Sequence, residues 1–148
     1  MAHIHIASDH AGFALKAALK KHLAAQGHDI IDHGCDAPTS CDYPDFAHKL
    51  CNAVLADDGM GILICGTGIG MSIAANRHEG IRAALCTNEF LARATRMHNN
   101  ANVLCLGERV VGVGLALSIT DVFLNTDYEG GRHQRRIDLI EITAGKRA

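Results

Sequence analysis

The sequence contains no tryptophan, and aromatic residues make up only 4% of its 148 residues. It also lacks any apolar run that approaches the roughly 18 residues of a membrane span. The first residues, Met1 to Ile6, do not show the basic stretch and apolar core of a signal peptide. We therefore expect an aliphatic core, a cytoplasmic location and no membrane partner.

A net positive charge is also lacking, because the formal net charge is −2 at pH 7. Proteins that bind nucleic acid or anionic membranes through their overall charge carry a basic surface. Nucleic acid is therefore not an expected partner. Any anion that this protein binds must be held by a local cluster of basic residues.

The six cysteines include no C-x-x-C pair; they are Cys35, Cys41, Cys51, Cys65, Cys86 and Cys105. This spacing does not favour a zinc site, and a reducing compartment does not favour a disulfide framework. No metal is expected. Most of these cysteines are interpreted as small buried hydrophobic residues, and Cys65 is considered separately below.

Short apolar runs alternate with amphipathic stretches along the chain. The pattern predicts strands at 3–7, 29–32, 61–65, 81–86 and 102–106, and helices at 13–25, 43–54, 69–76, 88–98 and 113–124. Asp42 is the predicted capping residue of the second helix. Such alternation is typical of a parallel sheet covered by helices on both faces. We predict one domain over residues 1–148, with a three-layer α/β/α Rossmann-like fold and a five-stranded parallel sheet.

Ligands of such sheets bind beyond the carboxyl ends of the strands. Asp9 and His10 follow the first predicted strand directly. Asp9 is either a helix cap with a solvated His10 beside it, or part of a binding site. The residues alone favour neither interpretation.

A glycine-rich loop, Gly66-Thr67-Gly68-Ile69-Gly70, follows the third predicted strand. Its spacing is not the G-x-G-x-x-G of a dinucleotide site, no acidic residue follows at the expected distance, and no G-K-[ST] of a Walker loop is present. Glycines let the backbone approach a ligand closely, and the next helix offers free N–H groups. The loop therefore favours a small anion or an anionic reaction intermediate.

Cys65 lies where the third strand meets this loop. It is either an inert core residue or a thiolate stabilised beside a helix N-terminus, which acts as a nucleophile or as a base. His98, at the end of the fourth helix, is either a general acid–base or a surface residue. Arg132 and Arg136 are four residues apart and form either a phosphate clamp or a solvated pair; Arg109 is a further candidate.

Five motifs together resemble one family over essentially the whole chain. They are Ala7-Ser8-Asp9-His10-Ala11-Gly12, Asp42-Tyr43-Pro44-Asp45, Cys65-Gly66-Thr67-Gly68-Ile69-Gly70, His98-Asn99-Asn100-Ala101-Asn102 and Gly107-Glu108-Arg109. The sequence resembles the B-type ribose-5-phosphate isomerases, in the wider group that includes the subunits of galactose-6-phosphate isomerase. Each motif alone is weak, whereas the combination is specific.

This resemblance implies that ribose 5-phosphate and ribulose 5-phosphate are interconverted through an enediolate. The reaction belongs to the non-oxidative branch of the pentose phosphate pathway and needs no metal or organic cofactor. Cys65 is then the base that moves the proton between C2 and C1. His98 opens the furanose ring, and Thr67 lies near the reacting oxygens.

The resemblance also implies a set of residues that bind substrate: Asp9, His10, Gly66, Gly68, Ile69, Gly70, Asn99, Arg109, Arg132 and Arg136. Asp9 positions the sugar. The N–H groups of residues 66–70, with Asn99, form the anion hole for the enediolate. The phosphate lies on His10, Arg132 and Arg136, and His133 is an additional candidate. Arg109 is expected to reach in from the partner subunit of a homodimer, although a tetramer is equally compatible with the sequence.

Three other functions are compatible with parts of the pattern. An isomerase of a six-carbon sugar phosphate, such as allose 6-phosphate or galactose 6-phosphate, would share the fold. The galactose enzymes divide their site between two different subunits, whereas here one chain carries the full set, which favours ribose. A cysteine hydrolase using Cys65 and His98 would form an acyl adduct, and a non-catalytic binding module would not need Cys65.

Overall fold

A computed structural model of the protein describes residues 3–142. Five strands form one sheet in the spatial order β2-β1-β3-β5-β4, and every neighbouring pair is parallel. The strands are β1 (Ile4–Ser8), β2 (Ile30–Asp32), β3 (Met60–Cys65), β4 (Ala83–Leu85) and β5 (Val103–Gly107). The predicted five-stranded parallel sheet is confirmed.

The helices lie between the strands and after the last one. They are α1 (Phe13–Ala25), α2 (Tyr43–Asp57), α3 (Ile69–Ala75), α4 (Glu89–Asn99), α5 (Val113–Asn125) and α6 (Arg132–Asp138). A single 3-10 turn at His10–Gly12 leads into α1. None of the helices in the described residues is long and apolar enough to cross a membrane.

The sheet separates two apolar cores, so the structure has the three layers predicted. Leu15 and Leu19 of α1 and Phe123 of α5 pack on one face of the sheet. Leu50 of α2 and Met71 of α3 pack on the other. Each core contains 13 or more buried residues and is mainly aliphatic, as the shortage of aromatic residues requires.

β3 shows how the sequence produces this arrangement. It is buried along Gly61 to Cys65, which is why it appears in the sequence as a continuous apolar run. Successive side chains of a strand point to opposite faces. Accordingly Ile62 and Ile64 belong to the core beneath α1 and α5, whereas Leu63 and Cys65 belong to the core beneath α2 and α3.

Two local predictions differ from the structure. β4 is shorter than the predicted 81–86, because the N–H of Arg82 donates to the side chain of Asn102 at 2.8 Å instead of joining the sheet. Asp42 occupies the N-cap position of α2, but its side chain makes no capping hydrogen bond there. The proline at the start of α2 supports that helix start instead.

Candidate active site: two half-sites at opposite edges of the sheet

The first part of the site forms where β1 and β3 end side by side. The chain runs to β2 on one side of this pair and to β5 and β4 on the other, so the crevice lies at the topological switch point. The N–H of Asp9 donates to the carbonyl of Ile64 at 3.2 Å, which joins the two loops. A Cβ on Gly12 would lie 2.6 Å from Ile64, so only glycine allows this close approach.

Cys65 is the last residue of β3 and is 5% exposed. Its sulfur accepts a hydrogen bond from the N–H of Gly68 at 3.1 Å. Gly68 has a left-handed φ of +79°, and a Cβ there would lie 2.5 Å from Leu85. Glycine is therefore required at this position to direct the N–H at the sulfur. The thiol lies at the edge of the sheet formed by the carboxyl ends of the strands. A backbone N–H donor points at any charge that develops on the sulfur.

The loop that follows already uses two of the amides predicted to form the anion hole. Gly68 donates to Cys65, and Ile69 donates to the hydroxyl of Thr67 at 3.2 Å. Thr67 itself is exposed, at the mouth of the crevice. The ring of Tyr43 packs against Gly70, where a Cβ would lie 2.7 Å from the ring. To bind an oxyanion, Gly68 and Ile69 must exchange their present partners for it.

Asp9 and His10 lie on the β1 side of the same crevice. Asp9 is 6% exposed, and its Oδ1 accepts the N–H of Gly12 at 3.1 Å. The capping interpretation of Asp9 is therefore confirmed, while its role in positioning a sugar remains a prediction. His10 Nδ1 accepts the N–H of Cys41 at 3.3 Å, so the proton of the neutral ring is on Nε2 and is available to an anion.

Arg109 belongs to this edge of the sheet as well. Its N–H donates to the carbonyl of Gly66, and the N–H of Glu108 donates to that of Cys65, both at 3.0 Å. The guanidinium group lies so close to Gly66 that a Cβ there would be 3.2 Å from Nη1. Arg109 thus lies beside the glycine loop of its own chain. We call the group Asp9, His10, Cys65, Thr67 and Arg109 the carboxyl-edge half-site.

His98 and Asn99 lie at the opposite edge of the sheet, which is formed by the amino ends of the strands. α4 begins after β4, at the carboxyl edge, and runs back to end before β5. Arg82, just before β4, donates to the carbonyl of Asn99 at 3.0 Å. Both residues therefore lie where the strands begin.

The distance between His98 and Cys65 follows from the register of the sheet. The N–H of Gly61 donates to the carbonyl of Asn102 at 2.9 Å, which aligns the end of α4 with the start of β3. Gly61 and Cys65 are about 13 Å apart at the rise of a strand. The two side chains also lie on different faces, since Ala92 of α4 packs in the core beneath α1 and α5 and Cys65 in the other. His98 therefore does not reach Cys65 within one chain.

α6 completes the second group of residues. The N–H of Glu129 donates to the carbonyl of Met97 at 3.1 Å, which holds the segment before α6 against the end of α4. The rings of His98 and His133 then stack, with centroids 4.6 Å apart and an interplanar angle of 22°. His133 Nε2 donates to Glu129 Oε2 at 3.1 Å.

Arg132 and Arg136 are both exposed on α6, as the spacing of four residues predicts for one helix face. Within residues 3–142, neither forms a salt bridge. They are therefore available to an anion. We call the group His98, Asn99, Arg132, His133 and Arg136 the amino-edge half-site.

One chain thus holds two half-sites that it does not bring together. This differs from the sequence-based interpretation, in which only Arg109 comes from a partner subunit: the full set of residues is present, but one chain does not assemble it. Most members of the set were proposed from motifs, and Arg132, His133 and Arg136 from spacing and the family resemblance, whereas two contacts were missed. Tyr43 was part of a quoted motif without a role, and Glu129 lies outside any predicted helix, so only its spacing of four from His133 pointed to it.

The other cysteines fit the structural role predicted for most of them. Burial raises the pKa of Cys51 to about 12 and that of Cys86 to about 11. Burial also raises the pKa of Cys105, and burial and the hydrogen bond with the Cys35 thiol raise the pKa of Cys41. These thiols stay protonated at neutral pH and are poor bases.

The match to known proteins agrees with this geometry. A family model described as Ribose/Galactose Isomerase matches residues 4–140. The chain belongs to this family. Ribose-5-phosphate isomerase B of Escherichia coli is 48% identical to it over 134 residues, which are 89% of each chain.

Solved structures of similar proteins support the same membership in the ribose/galactose isomerase family. A ribose 5-phosphate isomerase from Thermotoga maritima has a TM-score of 0.92 at 52% identity, over 94% of this chain and 97% of the other. Ribose-5-phosphate isomerase B from Mycoplasma genitalium, solved with bound ribulose-5-phosphate, has a TM-score of 0.89 at 46% identity, over 93% of each chain. The family resemblance inferred from the five motifs is therefore confirmed, and a sugar-phosphate isomerase is the activity it supports.

Proposed function

We propose that the protein interconverts D-ribose 5-phosphate and D-ribulose 5-phosphate, with Cys65 as the base. The observation that carries this proposal is the buried Cys65 thiol, which ends β3 and faces the N–H of Gly68 at 3.1 Å. Relatives that carry the name ribose-5-phosphate isomerase B support the choice of substrate. Enolisation of an aldose needs one base and one anion site side by side, and this loop offers both.

The reaction moves two protons and leaves the composition of the sugar unchanged. The thiolate of Cys65 removes the proton from C2, and the electron pair forms the C1–C2 double bond while negative charge develops on O1. The thiol then returns the proton to C1. The hydroxyl proton of O2 passes to O1, and Thr67, exposed at the loop, is the side chain we place beside these oxygens.

The enediolate needs stabilisation because the C2 proton of an aldose is weakly acidic. The N–H groups of the glycine loop supply preorganised donors, which contribute about 2.7–4 kcal/mol each in enzymes where one has been removed. Gly68 and Ile69 release Sγ and the Thr67 hydroxyl when the oxyanion arrives. Asn99 adds a side-chain amide from the other half-site.

The phosphate is held at the far end of the sugar, where it fixes the reacting carbons over the thiolate. We assign it to the Nε2–H of His10 together with the guanidinium groups of Arg132 and Arg136. Arg109 joins them from the carboxyl edge of its own chain, since its backbone is bonded to Gly66 at 3.0 Å. In this proposal Arg109 serves the site that contains the Cys65 of its own chain, whereas the family resemblance implies that it reaches in from the partner subunit.

The two half-sites meet when two copies of the chain form a homodimer. In a two-fold dimer, a residue i of one copy that contacts a residue j of the other is matched by a second contact in which j of the first copy meets i of the other. The carboxyl-edge half-site of one copy then faces the amino-edge half-site of the other, and two equivalent sites result. His98 opens the furanose ring in this arrangement, in the site whose thiolate comes from the other copy.

Exposed apolar residues support an interface at both edges. Ile69, Ile73, Phe90 and Val110 follow the carboxyl ends of β3, β4 and β5 and are at least 52% exposed. Leu139, Ile140 and Ile142 follow α6 and are at least 51% exposed. Exposed apolar patches of this kind mark surfaces that bind another protein, and here the second copy covers both.

Deuterium exchange tests the proposed reaction. The protein is incubated in heavy water with ribose 5-phosphate, allose 6-phosphate and galactose 6-phosphate, and NMR follows label at C2 and formation of the ketose. We expect exchange with ribose 5-phosphate, lost in Cys65→Ala and kept in Cys51→Ala, which removes a buried thiol from the same core. Wild-type protein that exchanges no five-carbon sugar phosphate contradicts the proposal, and exchange confined to a six-carbon substrate replaces it.

A further inference from the structure

Three potential metal ligands converge beside the end of α4, in what we call the His98–Glu129–His133 cluster. One ligand atom of each residue lies within 4.8 Å of the others. In the described residues no other group of three or more histidine, cysteine or acidic side chains meets this condition. The cluster combines two imidazoles and one carboxylate, a donor set that proteins use for zinc.

The contacts around the cluster already hold part of this geometry. Glu129 is fixed by its backbone bond to Met97 at 3.1 Å, and its carboxylate is 3.1 Å from His133 Nε2. His133 is 7% exposed, so its ring is held in place by the surrounding residues. Two of the three ligands are therefore positioned before any ion binds.

His98 supplies the third ligand after a rotation of its side chain. Its ring now stacks on His133, and nearly parallel rings direct their nitrogens side by side rather than at one point. His98 is exposed, so its ring can turn without a rearrangement of the core. An ion between the residues binds His133 Nε2 while the proton of that nitrogen moves through solvent to Nδ1, so the ring stays neutral, and a fourth position is left for water.

We propose that the His98–Glu129–His133 cluster binds a divalent ion of the zinc class, and that the bound ion inhibits the enzyme. Inhibition follows because the ion occupies the ring nitrogen of His98, and this part of the inference rests on the proposed function. Imidazole nitrogen favours Zn²⁺ and Co²⁺ over Mg²⁺ and Ca²⁺. The ion is not a cofactor here, because it competes with the use of His98 in ring opening.

Spectroscopy with Co²⁺ tests the site without reference to activity. Tag-free protein is titrated with Co²⁺ and the visible d–d absorption of a four-coordinate ion is recorded, followed by displacement with Zn²⁺ and a parallel titration with Mg²⁺. Glu129→Gln keeps an oxygen that accepts from His133 but removes the carboxylate ligand. We expect it to weaken Co²⁺ binding about tenfold or more, as losses around metal sites do, and His133→Gln to act in the same direction.

A second histidine pair provides the matched control. His48 Nδ1 and His78 Nε2 lie 2.7 Å apart and belong to no group of three ligands in the described residues. His48→Gln is expected to leave Co²⁺ affinity unchanged. Affinity that falls in His48→Gln and not in Glu129→Gln, or that falls in neither cluster variant, overturns the proposed site.

The inhibitory role is tested separately with the isomerase assay. We expect Zn²⁺ to reduce turnover, a chelator to restore it, and Glu129→Gln to raise the Zn²⁺ concentration at half inhibition about tenfold or more. Zn²⁺ that fills the cluster and leaves turnover unchanged overturns the inhibitory role. Protein that binds Co²⁺ at the cluster but isomerises no sugar phosphate contradicts the proposed function while the metal site stands.

Discussion

The two half-sites are built in different ways. The carboxyl-edge half-site depends on backbone: Cys65 is 5% exposed, its donor is the N–H of Gly68, and Arg109 is anchored through its own N–H. The amino-edge half-site depends on side chains at helix ends, and four of its five members are exposed. In the proposed reaction the first half-site transfers the proton and contributes His10 and Arg109 to the phosphate, whereas the second contributes Arg132 and Arg136 and opens the ring.

This difference explains why one chain is not sufficient for the proposed site. The carboxyl-edge half-site offers an anion site and a base but reaches no residue for ring opening. The exposed half offers cations and an imidazole, and its arginines form no salt bridge within residues 3–142. Each half-site lacks groups that the other supplies, and a two-fold dimer would bring the two together twice.

Removal of the base is the change with the largest expected effect. Cys65→Ala is expected to lower kcat by about 10²–10⁴-fold, the usual contribution of a positioned acid or base. KM should change little, since no phosphate contact is lost. Steady-state kinetics of Cys65→Ala and Cys51→Ala measure this, and equal losses in the two variants would mean that the core thiols matter only for packing.

A change in the glycine loop tests whether the carboxyl-edge half-site depends on the conformation of the backbone. Gly68→Ala places a Cβ 2.5 Å from Leu85 at a φ of +79°. The left-handed conformation and the overlap together are expected to cost about 2–4 kcal/mol of unfolding free energy and to turn the N–H away from Cys65. Urea denaturation and kinetics measure both effects.

Gly114→Ala is the matched control for the loop variant. Apart from its chain neighbours and its own helix backbone, nothing lies within 4 Å of the Cβ that would be added there, and Gly114 is in the first turn of α5. Alanine favours a helix over glycine by about 1 kcal/mol, so this variant is expected to be slightly more stable and equally active. If Gly68→Ala matched it in both measurements, the loop would not need its glycine.

The amino-edge half-site is tested through its arginines. Arg136→Ala is expected to lower kcat/KM by about tenfold to a hundredfold, mainly through KM, as the loss of a charge-assisted hydrogen bond of about 1.5–3 kcal/mol predicts. Arg135→Ala is the control from the adjacent position on α6. An unchanged kcat/KM in Arg136→Ala removes this residue from the phosphate site.

The smallest expected effect concerns Asp32, which ends β2 at the carboxyl edge of the sheet. Burial raises the pKa of Asp32, but hydrogen bonds from Lys20, Lys16 and the N–H of Gly34 outweigh it and leave the pKa below its usual value. A lowered pKa in the folded state stabilises the protein above pH 3.8, and this contribution is lost as pH falls through the lower folded-state pKa.

Asp32→Asn tests this support by urea denaturation. At pH 7 it is expected to lower the free energy of unfolding by about 1–2 kcal/mol. The difference from wild type should shrink as the pH is lowered below 3.8, because wild-type Asp32 then also loses its charge. A difference that is independent of pH would show that charge on Asp32 contributes nothing.

Much of the fold could be predicted from the sequence because the signals are local. The apolar run before Cys65 predicts a buried strand, and the alternation of strands and helices predicts the parallel sheet. The start of β4 could not be predicted, because it depends on the side chain of Asn102, which is 20 residues away and leaves no signal in the local sequence.

The sequence proposes which residues form the candidate site, but it only partly predicts how they come together. The motifs propose most of the residues, and the spacing of Arg132 and Arg136 proposes the others, but neither says which chain supplies each one. Topology could have separated His98 from Cys65, since a helix that follows β4 in a parallel sheet must end at the amino edge. The position of Arg109 beside Gly66 depends on the turn after β5, and nothing in the sequence encodes it visibly.

The most direct test of the central claim is complementation between two inactive variants. Cys65→Ala and His98→Asn chains are coexpressed with different tags, and the mixed dimer is purified. In the proposed arrangement one of its two sites keeps both Cys65 and His98, so we predict about half of the wild-type activity. A mixed dimer as inactive as either parent would show that His98 and Cys65 do not meet across the interface, and it would contradict the account.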